Sequence, residues 1–185
     1  NQVGFTDAVA KVSDRIGEEN QGWSVAKYLL EFERSGGIGG SKSLSDLDFI
    51  RRLIKKISST HKDSSFADTY NTKVAELEIK ALSIQYTSLR ILSSLTKGDS
   101  PGPESSMMKT LVTDLEQEIS ELTLDVIGYY GIPFQDTGYR SNKEAIGDED
   151  YRSIAGKYQN LRATTIYGGS NEIQRNIMAK AVLGL

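Results

Sequence analysis

The sequence predicts an all-α protein: an antiparallel bundle of the four-helix type with a short non-helical segment at its N-terminus. Three observations predict it. The 185 residues include only 3 prolines, and proline is the residue that a helix interior tolerates least. Apolar residues recur at helical spacing in one run after another from Gln21 to the C-terminus. Breaks rich in glycine and proline separate these runs, as turns between helices require. There is no internal repeat, and no heptad run is long enough for a free-standing coiled coil.

Residues 1–20 do not read as helix. Val3, Phe5, Val9 and Val12 lie among polar residues, and Asp14-Arg15-Ile16-Gly17 has the composition of a turn. The segment is expected to be the tail of a strand plus a connector. The chain opens on Asn1, not Met, and reads as a piece of a longer protein. Residues 21–36 place Trp23, Ala26, Leu29, Leu30 and Phe32 at helical spacing. Ser35-Gly36-Gly37-Ile38-Gly39-Gly40 follows. Each glycine costs a helix roughly 1 kcal/mol relative to Ala. The stretch is therefore either a flexible loop or a helix kept slim where a ligand or another backbone packs. Ser43 or Ser45 is suited to cap a short helix over 46–58, with Leu47, Ile50, Leu53, Ile54 and Ile57 on one side.

Residues 65–96 form the longest periodic segment. Phe66, Tyr70, Val74, Leu77, Ala81, Ile84, Leu92 and Leu95 make one stripe; Ala75, Ile79, Leu82, Tyr86 and Leu89 make a second. Two stripes predict burial on two sides, in the middle of the bundle. Lys97-Gly98-Asp99-Ser100-Pro101-Gly102-Pro103 breaks the pattern. Residues 104–127 then repeat Met108, Leu111, Leu115, Ile119, Leu122 and Val126 until Gly128-Tyr129-Tyr130-Gly131 ends the helix. After an irregular loop over 132–147, Asp148 is suited to cap a helix bearing Tyr151, Ile154, Ala155, Tyr158 and Leu161. Ser170 opens the last helix, with Ile173, Ile177, Ala181 and Val182 expected inward.

The bulk numbers exclude several classes. A net charge of −3 provides no electrostatic footprint for nucleic acid. The absence of cysteine removes disulfides, thiolate metal sites and a Cys nucleophile, and suits a cytoplasmic protein. The 1 histidine, His61, sits in a polar stretch and reads as a solvated loop residue; no metal site is expected. No run approaches the length of a membrane span, and the N-terminus is no signal peptide. Phosphate loops, zinc-protease helices and nucleophile elbows are all missing.

The sharpest feature is Thr165-Ile166-Tyr167-Gly168-Gly169-Ser170-Asn171-Glu172-Ile173-Gln174-Arg175-Asn176. A helical pattern ends in a glycine pair, and Ser170 is placed to cap the next helix. Glycines let backbone approach a ligand closely, and a capped helix start aims backbone N–H groups over the turn. Taken alone, this is a plain helix–turn–helix joint.

The full string resembles the flavin- and thioester-contacting turn of the acyl-CoA dehydrogenase family. Three further landmarks fall in the same order: Arg15 to Asn20 at the exit from a β-domain, Leu29-Leu30-Glu31-Phe32-Glu33-Arg34 on the first bundle helix, and Gly128-Tyr129-Tyr130-Gly131 at a glycine turn. The resemblance implies that 1–20 is the end of a preceding β-domain with its connector and that 21–185 is the family's C-terminal helical bundle. It implies α,β-dehydrogenation of an acyl-CoA with FAD as cofactor, electron-transfer flavoprotein as electron acceptor, and a homo- or hetero-oligomer. A carboxylate must take the α-proton, and its pKa must be tuned by its surroundings. Many members carry Glu directly after the motif's Tyr; here that position is Gly168. Other members place Glu on the first bundle helix before an Arg; here that is Glu33, followed by Arg34. Without the resemblance, Glu33 reads as a solvated helix carboxylate. With it, Glu33 is the catalytic base, Phe32, Arg34, Gly168 and Gly169 lie along the substrate, and Ser170, Asn171, Glu172 and Gly128 along the cofactor. Two departures bear on FAD. The segment from Ser58 to Ser65 lacks the Arg that in most members reaches the pyrophosphate of a neighbouring subunit's flavin, and Asp125 stands where a Gln opens the adenine-side turn. These leave room for an alternative, a non-catalytic subunit or helical interaction module of a heteromeric complex.

Overall fold

The computed structural model describes residues 2–35, 39–60, 63, 65–99, 102–135 and 143–185, with side chains except those of 31–35 and 39. The described residues form six α-helices and no strand: α1 Gly22–Ser35, α2 Gly39–Ser58, α3 Phe66–Leu95, α4 Glu104–Ile127, α5 Ile154–Leu161 and α6 Asn171–Leu183. Short 3₁₀ turns lie at Val12–Asp14, Gly128–Gly131 and Glu149–Tyr151. The glycine stretch before 46 is resolved on its described side: Gly39 and Gly40 belong to α2, so this helix starts earlier than the capping residues suggest. A Cβ on Gly40 would stand 2.5 Å from Cβ and 2.8 Å from Cα of Gln85 on α3. The helix is slim because another backbone packs there.

The core is formed by α2, α3 and α4, with Leu47, Ile50, Leu53 and Ile54 of α2 against Val74, Leu77, Ala81 and Ile84 of α3. The central helix is α4, not α3. It packs against α1, α2, α3, α5 and α6. Half of its buried residues are Ser or Thr, namely Ser105, Ser106, Thr110, Thr113, Ser120 and Thr123. Burying a hydroxyl is costly unless it is bonded. Thr110, Thr113 and Thr123 each donate to the carbonyl one turn back, at 3.1, 3.0 and 2.7 Å. Small bonded side chains let neighbouring helices come close on every side. The second stripe of α3 is exposed: Ile79, Tyr86 and Leu89 each keep at least half of their surface.

Two peripheral helices also depart from the sequence reading. In α1 the half-buried residues are Val25, Ala26 and Leu30, while Trp23 and Leu29 face solvent. In α6 the buried residues are Asn171 and Gln174, and Ile173 and Val182 are exposed. Asp148 caps a 3₁₀ turn, accepting from Asp150 N at 3.0 Å, and α5 begins after it. Residues 2–20 contain no strand. Val3, Phe5, Val9, Val12 and Ile16 stand in solvent, since no described neighbour pairs with this backbone. Ion pairs set helix register: Lys42 to Glu116 at 3.0 Å, Lys157 to Asp46 at 2.8 Å, and Lys80 to Glu118 at 2.6 Å. Such pairs near the surface contribute at most about 1 kcal/mol each.

Candidate functional site

The joint between α5 and α6 is built on two glycines with left-handed backbone, Gly168 at φ +66° and Gly169 at φ +87°. Side chains with a Cβ rarely adopt this conformation, so consecutive positive φ values account for the glycine pair. A Cβ placed on Gly168 would meet no atom within 4 Å, so the space over its α-carbon is open. Ser170 caps α6, its Oγ accepting from Ile173 N at 3.5 Å. Asn171 N donates to Thr165 O at 3.0 Å and closes the turn.

The carboxyl of Glu172 is held below its ordinary value first by its own backbone N–H, then by the Ser170 hydroxyl. The N–H groups of Asn171 and Ile173 are spent inside the protein, on Thr165 O and Ser170 Oγ. The open space over the α-carbon of Gly168 admits close approach of a ligand to bare backbone.

Two buried polar side chains fasten the joint. Asn171 is 4% exposed. Its Oδ1 accepts from Lys109 Nζ at 2.9 Å and Thr113 Oγ1 at 3.2 Å, while its Nδ2 donates to Asp114 Oδ1 at 2.8 Å. Its side chain is thus bonded to α4. Gln174 is fully buried, and its Nε2 donates to Gly168 O at 3.3 Å and Gly169 O at 3.2 Å. Its Oε1 is buried without a hydrogen-bond partner. Gln174 was not singled out from sequence. The available signal was its place one turn after the capping Ser170, on the side of α6 that also holds Asn171. Gln117 of α4 completes the joint, donating to Leu161 O at 3.1 Å and Thr165 Oγ1 at 3.3 Å.

Glu33, Phe32 and Arg34 lie on the last described turn of α1. Their side chains, with Gly36–Gly37, Ile38 and His61, fall outside the described residues. Gly128 ends α4 at φ +56° and is exposed. It is not brought to the α5–α6 joint: Thr113, which meets Asn171, lies about 22 Å away along α4 at 1.5 Å per residue. The groove beside Gly128 is lined by Tyr70, Tyr130 and Tyr151 with Lys56, Asp125 and Asp148. Lys56 is held by Asp148 at 2.5 Å and Asp150 at 3.2 Å, and Lys73 faces Asp125 at 3.9 Å. Lys56 and Lys73 are thus each matched by a carboxylate, an unfavourable setting for a diphosphate.

The class of domain is a helical bundle carrying an open glycine joint beside its central helix, with Gly168 at its apex. A family model described as acyl-CoA dehydrogenase, C-terminal domain, matches residues 20–183, and the chain belongs to this family. It is 32% identical to acyl-CoA dehydrogenase IpdE1 of Mycobacterium tuberculosis over the whole chain and 44% of that protein. Against IpdE1 of Mycolicibacterium smegmatis it is 31% identical, over 42% of the relative. The chain thus spans less than half the length of these curated relatives. Among solved structures it is similar to the ChsE4-ChsE5 complex of Mycobacterium tuberculosis, with a TM-score of 0.70 and 24% identity over 95% of this chain and 44% of the other. Butyryl-CoA dehydrogenase of Megasphaera elsdenii gives a TM-score of 0.66 at 16% identity, over 90% of this chain and 40% of the other. No helix among the described residues is long and apolar enough to cross a membrane.

Proposed function

We propose that this chain is the C-terminal bundle of a FAD-dependent acyl-CoA dehydrogenase that introduces a double bond between Cα and Cβ of an acyl-CoA thioester. The observation that carries the reading is the α5–α6 joint: Gly168 presents bare backbone to open space, and Gln174 holds the carbonyls of Gly168 and Gly169. Such a surface admits a thioester and a ring in van der Waals contact, where any Cβ would hold them off. Bound there, FAD would supply the hydride acceptor. The residues of this chain supply placement and the proton acceptor. Because Gly168 has no carboxylate, Glu33 takes the α-proton onto its own carboxylate as the β-hydride leaves. Arg34 and Phe32 lie along the CoA-bearing part of the substrate. Electron-transfer flavoprotein as acceptor, a cytoplasmic location, and assembly as a homo- or hetero-oligomer complete the proposal.

The test is Glu33→Gln in the full-length protein. Turnover should fall at least about 100-fold, the usual scale for a positioned acid–base group, with flavin content unchanged. Gly168→Glu in the Glu33→Gln background should restore a small part of it: a Cβ there meets no atom within 4 Å, although the backbone at φ +66° strains any residue but glycine. Near-wild-type turnover in Glu33→Gln would remove Glu33 from the mechanism.

One observation favours a second reading, a subunit of a heteromeric dehydrogenase that leaves one flavin position unfilled. It is the carboxylate-matched surface around Gly128, where Asp125, Asp148 and Asp150 already hold Lys73 and Lys56. Flavin counted per full-length chain separates the two: one per chain supports the first reading, about half supports the second.

A further inference from the structure

Gln174 is a polar side chain in a slot that an apolar one would fill without penalty. It is fully buried, and its Oε1 has no hydrogen-bond partner. A buried acceptor left in this way is unfavourable, whereas an apolar side chain of similar length would leave nothing unsatisfied. The other end of the amide accounts for the residue. Nε2 donates to Gly168 O at 3.3 Å and to Gly169 O at 3.2 Å. The amide cannot be turned over, because Oε1 would then face two carbonyl oxygens. Its base is fixed as well. Gln174 N donates to Ser170 O at 3.0 Å, and Asn171 in the same turn is bonded to Lys109, Thr113 and Asp114 of α4.

One side chain thus sets two consecutive peptide planes. In a planar trans peptide the N–H points opposite to the C=O. With the carbonyls of Gly168 and Gly169 drawn inward to Gln174, the N–H groups of Gly169 and Ser170 are turned away from it. Among the described residues neither of these N–H groups takes part in a hydrogen bond, whereas Asn171 N is held by Thr165 O at 3.0 Å. Glycine backbone resists rotation least, so these two planes depend most on the tether.

We propose that Gln174 is a positioning residue for the reaction. It acts through Gly168 and Gly169, holding their peptides so that the N–H groups of Gly169 and Ser170 stand as fixed donors on the ligand side of the joint. The proposal rests on the dehydrogenase reading of the joint given above. It explains why a buried amide with an orphaned oxygen occupies the slot: the donor end orders the face that the ligand meets.

The experiment compares the parent with Gln174→Met, which fills the slot but has no donor, and Gln174→Glu, which donates only when protonated. A carboxyl buried beside two carbonyl oxygens titrates above the ordinary Glu value of about 4.3. The first readout needs neither flavin nor turnover. In the 185-residue chain, the carbonyl carbon shifts of Gly168 and Gly169 and the amide nitrogen shifts of Gly169 and Ser170 are followed against pH. In Gln174→Glu they should move together with one midpoint; in the parent and in Gln174→Met they should stay still. The second readout is steady-state kinetics of the full-length protein, expressed per bound flavin. Gln174→Met should lose at least about tenfold in kcat, the effect of a misplaced contact, with KM changed less than about twofold. The ratio of kcat in Gln174→Glu to that of the parent should fall as pH rises through the same midpoint. Parent-like kcat per flavin in Gln174→Met, or a loss that only follows Tm or flavin content, reduces Gln174 to a structural residue and overturns the proposal. Shifts with no common midpoint overturn the tether itself. A full-length parent that binds flavin but oxidises no acyl-CoA overturns the dehydrogenase reading, and the shifts still decide the tether.

Discussion

Asn171→Ala tests whether the start of α6 is a structural clamp or a cofactor contact. The substitution removes the bonds from Lys109 Nζ at 2.9 Å and Thr113 Oγ1 at 3.2 Å, and the one to Asp114 Oδ1 at 2.8 Å. Hydrogen bonds to charged groups contribute about 1.5–3 kcal/mol when sequestered. Here they count for less. The Asp114 side chain is 44% exposed and also faces Arg175 at 3.7 Å, so water and Arg175 take over part of its solvation. Thr113 keeps the carbonyls of Lys109 and Thr110 and is not orphaned. About 1 kcal/mol for each charged partner and somewhat less for Thr113 sums to about 2–3 kcal/mol. For a chain of this size, 1 kcal/mol moves Tm by about 2–4 °C, so the expected fall is about 5–10 °C. The assay is thermal unfolding by far-UV circular dichroism with no flavin added. Glu172→Ala, at an exposed neighbour, serves as control and should move Tm by no more than about 1–2 °C. A Tm for Asn171→Ala indistinguishable from the parent, with flavin content of the full-length protein reduced, would refute the clamp and restore Asn171 to the cofactor.

Three further outcomes are expected. Gly40→Ala should lower Tm although Ala favours helix: the new Cβ meets the Gln85 backbone, and overpacking costs about 1–3 kcal/mol against a gain of about 1 kcal/mol; an unchanged or raised Tm would show that α2 and α3 separate freely. Gln174→Met should leave the helices intact but release the carbonyls of Gly168 and Gly169, cutting protection of the joint's amides in hydrogen exchange at least about tenfold; unchanged protection would show that the positive-φ turn holds itself. The Asp148 carboxyl is held below its ordinary value of 3.8, first by the Lys56 ammonium. A carboxyl depressed in the folded state adds stability above its ordinary value and loses it as pH falls through the folded one, so Asp148→Asn should flatten the fall of Tm below about pH 4, and an unaltered acid limb would deny the pair any role.

Much of the bundle was legible in the sequence, and for a simple reason. Helices that bury one face advertise it as a period of 3.6, and α2, with Leu47, Ile50, Leu53 and Ile54, shows that signal undiluted. The same rule misplaces the helix with most burial. The central helix α4 hides half of its buried positions behind Ser and Thr, which a hydropathy pattern scores as surface. Only their bonds to carbonyls one turn back make them compatible with the interior. At the other extreme, α3 carries two stripes, core on one side and an uncovered face on the other. Periodicity reports that a face is apolar, and does not report what covers it.

The candidate site divides along the same line. Gly168, Gly169 and Ser170 were legible because backbone geometry leaves little choice of residue at a left-handed turn followed by a helix start. Gln174 was missed, and the tie from Asn171 to α4 was not legible, because a polar residue at a core position carries no sign of its partner, which lies on α4 or back across the turn. The consequence is functional. Gln174 ties down the carbonyls of Gly168 and Gly169 and leaves the bare surface over Gly168 facing open space. On the dehydrogenase reading proposed above, that surface lies beneath a flat ring and a thioester, and the acid–base work falls to a carboxylate from another helix, for which Glu33 is the residue to test.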